Sequence, residues 1–188
     1  MKTKHHLTRL VLASVLLATG LILPMITGQI QAIGKIISPM HIPVLIGGLT
    51  LGPIWGLAVG FITPILRGLL FGMPPIPHAA FPMAFELGAY GLFGGLFYPP
   101  VRRKLPNLSA IVFALLLAMI AGRLVGGAAK ALLLALGVIG TQTPFTLAAF
   151  WASYFVGTLP GALIHLVLVP AVVAALERAK LSPLASNL

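Results

Sequence analysis

The chain has 188 residues, of which 59% are hydrophobic and only 7% charged, with a mean hydropathy of +1.09. A soluble domain carries about 25% charged residues, so this composition excludes a water-solvated surface and makes a lipid bilayer the solvent. The net charge of +10 does not point to nucleic acid, because Lys and Arg are scattered between apolar runs. With no cysteine there is no disulfide framework, thiol nucleophile or cysteine–zinc site.

Apolar length and Pro/Gly punctuation predict an all-α integral membrane protein of six transmembrane segments, at roughly 8–26, 39–51, 54–72, 78–98, 108–136 and 145–176. One domain over 1–188 fits the length. The first segment follows a basic start, "MKTKHHLTR", and so resembles a signal peptide. Its apolar run of 17 residues exceeds the usual 7–15 of a signal core, and no clear A-x-A site follows, so it reads as a first transmembrane helix, with cleavage as the alternative. The second segment is too short to cross about 30 Å as a straight helix, and Pro43, Gly47 and Gly48 interrupt it. Irregular backbone at membrane depth survives only inside protein or beside a cavity, so this segment is expected within the bundle. The sixth is long, with an outer end expected to be loop or interfacial.

Charge in the connections orients the segments. The N-terminus carries Lys2, Lys4 and Arg9; Arg102, Arg103 and Lys104 lie between the fourth and fifth segments, and Arg178 and Lys180 follow the sixth. Six crossings put these on one side, whereas the other side has only Lys35 in the first connection. The excess of Lys and Arg predicts cytoplasmic termini in a multi-pass cell-membrane protein.

Charged residues inside the segments are the candidates for function, because a charge at the bilayer centre costs about 2.5–3.5 kcal/mol and usually faces protein or a water-filled cavity. Arg67 lies toward the outer end of the third segment, Glu86 near the middle of the fourth and Arg123 near the middle of the fifth. Lys130, seven residues beyond Arg123, shares its helix face. Two readings stand side by side. In one, Glu86 pairs with Arg123 or Arg67 and holds two helices in register. In the other, these residues line a polar ligand pocket: three cations face one carboxylate, and a bound anion gripped by arginine supplies the missing charge. Lys130 has the further option of snorkelling to the interface. His41, beside the second segment, and His78, after a proline-rich turn, either line that pocket or sit at the interface. His165 reads as a bundle histidine with its polar atoms satisfied. Tyr90, Trp151 and Tyr154 either stack on a ligand or form packing and an interfacial belt. No histidine and carboxylate set has metal-ligand spacing. The absence of G-x-x-x-x-G-K-[ST] excludes ATP binding by the Walker route, and no nucleophile elbow is present. Ser14 and Ala18, with Ala13 and Gly20 nearby, form a small-residue face on the first helix, suited to internal packing or to docking another membrane protein.

The stretch "LPMITGQIQAIGKIISPMHIPVLIGGLTLGPIWGLAVGFITPILRGLLFGMPP" with "AAFPMAFELGAYGLFGGLFY" resembles the substrate-binding S component of an energy-coupling factor (ECF) vitamin transporter, closest to pantothenate-type members. The resemblance carries M-H-I-P-V-L, T-P-I-L-R and M-A-F-E-L-G-A-Y-G and covers residues 9 to about 135 well, the remainder loosely. It implies six helices, cytoplasmic termini and a vitamin pocket near the outer face, roofed by the first connection. It implies docking on a membrane coupling subunit and two ATPase subunits, which use the ATP. This chain binds no cofactor. Transport by toppling in the membrane is part of the same expectation. The family's Ala-x-x-x-Ala docking motif is met here only by Ser14-x-x-x-Ala18. The expected substrate-binding residues are Arg67, Glu86, Arg123, His41, Tyr90, Lys130 and Trp151. Pantothenate, a carboxylate, suits the excess of cations; pyridoxine and hydroxymethylpyrimidine are the alternatives. A stand-alone secondary transporter is disfavoured because no duplicated halves are visible. An intramembrane enzyme would need more acid–base or metal groups than the single carboxylate Glu86, and a scaffold without ligand would pair all its buried charges.

Overall fold

A computed structural model describes residues 2–26, 37–140 and 144–185. The described residues are helical or in turns, without strands. Their order is α1 (Lys2–Ile26), α2 (His41–Leu51), α3 (Pro53–Phe71), α4 (Ala80–Arg102), α5 (Asn107–Ala135), α6 (Leu147–Trp151), a π-turn (Ala152–Val156) and α7 (Leu159–Arg178). Five stretches are long and apolar enough to cross a membrane: His6–Met25, Pro53–Phe71, Ala80–Arg102, Asn107–Ala135 and Leu147–Arg178, with His41–Leu51 as a shorter sixth.

The expected interruption of the second segment is corrected. α2 is continuous, because Pro43 falls in its first turn, where a backbone N–H has no helical acceptor to lose. At 11 residues it is about 16 Å long, half of a bilayer core, and it is buried as expected. It ends at Gly52, whose φ of 100° is a conformation a side chain would strain; the chain turns there into α3.

Glycines set how the helices meet. α3 and α4 run antiparallel, and a Cβ added at Gly56 or Gly91 would strike the backbone of the other residue; one at Gly60 would strike the Leu87 carbonyl. A Cβ at Gly48 of α2 would strike the Gly91 carbonyl. In lipid no hydrophobic effect pulls helices together, so close backbone approach supplies the packing. On the other side of α4, Gly122 and Gly126 of α5 leave the room that the Tyr90 ring and the Glu86 stem occupy.

The basic segments gather at one end of this bundle. Tyr98, fully buried, donates its hydroxyl to Glu177 Oε1 at 2.5 Å and has Asn107 Oδ1 at 3.0 Å, while Asn107 Nδ2 donates to Glu177 Oε2 at 2.6 Å. This joins the end of α4, the start of α5 and the end of α7. The Leu184 N–H donates to the Thr50 carbonyl at 2.9 Å, capping α2, and the His6 and Trp55 rings meet edge-on at 6.4 Å. Arg9, Arg102 to Lys104, Arg178 and Lys180 therefore share one end, called here the basic end.

Candidate functional site

Toward the opposite end, α2, α4, α5 and α7 converge on polar side chains that an apolar bundle must justify. Ser38 and His41 come from the entry to α2, Glu86 and Tyr90 from one face of α4, Arg123 from α5, Thr158 from the break before α7, and His165 from α7. Together they line one cavity. Its volume is about 10 Å³, room for about one water molecule and far below the roughly 300–1,000 Å³ of ligand pockets. A vitamin-sized ligand thus needs these helices to part.

The Tyr90 hydroxyl donates to Glu86 Oε1 at 2.8 Å, and His41 Nε2 stands 3.9 Å from the same oxygen. The His41 and His165 rings stack at 5.7 Å, 14° from parallel, and Tyr90 lies 5.3 Å from His41. His165 Nε2 faces the Ser38 carbonyl at 3.3 Å. His41 is 8% exposed, and among the described residues its Nδ1 is buried with no hydrogen-bond partner. Arg123 is also 8% exposed, with its guanidinium 5.4 Å above the Phe155 ring. Among the described residues it forms no ion pair. The proposed register pair is therefore replaced: Glu86 is engaged by Tyr90 and His41, and by neither arginine.

Of the expected site residues, Glu86, Arg123, His41 and Tyr90 are brought together. Arg67 is not. It is 2% exposed and donates from Nη1 to the Leu21 carbonyl of α1 at 2.9 Å, three residues before Pro24, with Phe71 5.3 Å from its Cζ. It ties α1 to α3, and its charge is met by a backbone dipole and a ring face. Lys130 is half-buried with Nζ 4.7 Å above the Phe145 ring, and Trp151 is 49% exposed against Phe150 and Phe155. Both lie outside the cavity, so the count of three cations against one carboxylate reduces there to Arg123 and Glu86. His78 accepts from the Gly140 N–H at 3.2 Å, joining two loops away from the cluster, and Tyr154 donates to the Gly126 carbonyl at 3.2 Å. Most of the first connection, assigned as the roof, lies outside the described residues.

Ser38, Thr158 and His165 are the lining residues that the sequence did not suggest as ligands. A signal for Thr158 was present in "GTLP", where Gly157 and Pro160 mark a break in the last segment. His165 offered none, since its role depends on the stacking with His41.

Arg67→Met gives a direct check on whether Arg67 serves helix packing or the ligand. It leaves the Leu21 carbonyl without its donor, a loss of about 1–3 kcal/mol. The expected outcome is a melting temperature several degrees lower in detergent, with ligand affinity nearly unchanged. A selective loss of affinity at unchanged stability would return Arg67 to the site.

The cavity thus gathers hydrogen-bond donors and acceptors with one arginine and one carboxylate. The family description ECF transporter, substrate-specific component, matches residues 8–176. The chain belongs to this family. No curated protein and no solved structure gives a significant match. As a substrate-specific component of an ECF transporter, the chain is a multi-pass membrane protein that binds a small molecule and associates with the ECF module, and it is not an enzyme.

Proposed function

We propose that this ECF component acts as one transmembrane substrate-binding domain. It captures a water-soluble vitamin carrying a carboxylate, with pantothenate the first choice, outside the cell. It then presents the vitamin to a membrane coupling subunit and two ATPases. The observation that carries the reading is Arg123, buried in the cavity wall without an ion pair among the described residues. The cavity's one carboxylate, Glu86, is engaged by Tyr90 and His41 rather than by Arg123, so a ligand carboxylate can take the donor edge of the guanidinium in the two-point grip it offers. The test is a thermal-shift screen of the detergent-purified protein against a vitamin panel, because a ligand that binds only the folded state raises its stability by mass action. Pantothenate is expected to raise the melting temperature most. A shift with neutral vitamins and none with pantothenate would reject it.

One observation favours a second ligand class. The parallel His41 and His165 rings, with Tyr90 beside them, suit a flat heteroaromatic ring such as that of pyridoxine or hydroxymethylpyrimidine. The same panel separates the two.

The basic end is the cytoplasmic one in this proposal. Both termini then face the cytoplasm, and the cavity lies in the outer half of the membrane. On α1, Ala13 and Gly20 turn inward, whereas Ser14 and Ala18 are exposed on the outer surface of the bundle. That exposure supports Ser14 and Ala18 as the small-residue face for the coupling subunit. Ser14→Leu and Ala18→Leu should reduce co-purification with that subunit while ligand still raises the melting temperature. Undiminished co-purification would remove this face from the docking surface.

A further inference from the structure

The last crossing does not run as a single α-helix. The Gly157 N–H donates to the Ala152 carbonyl five residues back, at 2.8 Å, which makes the π-turn. The Thr158 hydroxyl donates to the Tyr154 carbonyl at 2.7 Å, and the Tyr154 hydroxyl donates to the Gly126 carbonyl, fastening the turn to α5. Single π-turns inside helices are frequent at functional sites. This one carries Phe155, half-buried and braced by Trp151 at 4.5 Å and Phe150 at 5.7 Å. The Phe155 ring lies 5.4 Å from Arg123 Cζ, within cation–π range.

We infer that Phe155 is a positioning residue: by holding one face of the Arg123 guanidinium, it directs the N–H edge to the cavity and sets the site's preference for an anionic over a neutral ligand. The inference rests on the carboxylate reading above. A planar guanidinium with one face against a ring keeps its donor edge for a two-point grip. Arg123 has a long flexible stem and, among the described residues, no ion pair to orient it. The Tyr90 side chain engages it from α4, and the Phe155 ring, itself fixed by other aromatic side chains, is what restrains its face.

The test compares binding of pantothenate and of pantothenol, its neutral alcohol, by isothermal titration of the full chain in detergent. The native protein should prefer pantothenate. Phe155→Leu should cut that preference about tenfold, the scale of a desolvated cation–π contact, and Phe155→Trp, which keeps a ring face, should retain it. If Phe155→Leu does not purify, Phe155→Met carries the same comparison. A preference unchanged in the ring-less variant overturns the inference, whatever happens to the two affinities separately; so does an equal loss in Phe155→Trp. A native protein indifferent to the ligand's charge overturns the carboxylate reading and this inference with it, a pattern distinct from either of the others.

Discussion

Gly91→Ala should leave little folded protein. A single methyl at this position would strike the Gly56 backbone, and the Gly91 carbonyl is itself in contact range of Gly48 and Gly56. Three helices, α2, α3 and α4, meet there through main chain, and no flexible side chain can yield. Overpacking a well-packed core costs about 1–3 kcal/mol, more when backbone must move. Moving α4 outward would also pull Glu86 and Tyr90 away from His41. The expected result is aggregation on size-exclusion chromatography, or a melting temperature far below that of the native protein. Gly94→Ala is the control on the same helix, since its added Cβ would meet Gly48 and Leu49 only at an ordinary 3.8 Å. Equal stability of the two variants would show that the close glycine contact does not hold the bundle together.

Arg123→Ala is expected to weaken binding of the anionic vitamin by about 30-fold or more, corresponding to the roughly 2–5 kcal/mol lost when one partner of a buried charged hydrogen-bonded pair is truncated. The protein should still purify, because among the described residues the arginine closes no ion pair and its removal leaves Glu86 held by Tyr90 and His41. Glu86→Gln should cost less than Glu86→Ala: the amide oxygen still accepts from the Tyr90 hydroxyl, whereas alanine leaves that buried hydroxyl without its partner. Titration calorimetry on the three variants decides it. Normal affinity in Arg123→Ala protein that is poorly folded would make the arginine a structural element, and Glu86→Gln as damaging as Glu86→Ala would mean that charge, rather than hydrogen bonding, is what Glu86 supplies.

Much of this protein is legible one residue at a time. Apolar run length places the crossings because the bilayer thickness is a fixed ruler. Each predicted segment corresponds to a helical stretch, even where Pro160 and the π-turn subdivide the last. The half-length second segment was expected inside the bundle for the same reason, and α2 is there. Burial cost singled out Glu86 and Arg123, since charges at membrane depth are too expensive to be incidental. The glycine spacing Gly56-x-x-x-Gly60, Gly91-x-x-x-Gly95 and Gly122-x-x-x-Gly126 stands in the sequence too, but it gained meaning only once the structure showed what each glycine meets.

Which way each helix turns was decided only by the tertiary structure. A helix in water announces its inner face by apolar periodicity. In lipid both faces are apolar, and that signal is lost. Arg67 and Arg123 look alike in sequence, yet one meets the Leu21 carbonyl of α1 and the other lines the cavity. Lys130 shares a helical face with Arg123 by counting, but Gly127 lies between them and admits the Phe150 ring, and Phe145 takes the lysine. His165 and Thr158 join the site because α7 starts at a break whose geometry depends on bonds to α5. The sequence by itself determined the solvent, the crossings and the residues too costly to be idle; glycine backbone contacts among α2, α3 and α4, and side chains seated on the glycines of α5, decided which of those residues meet.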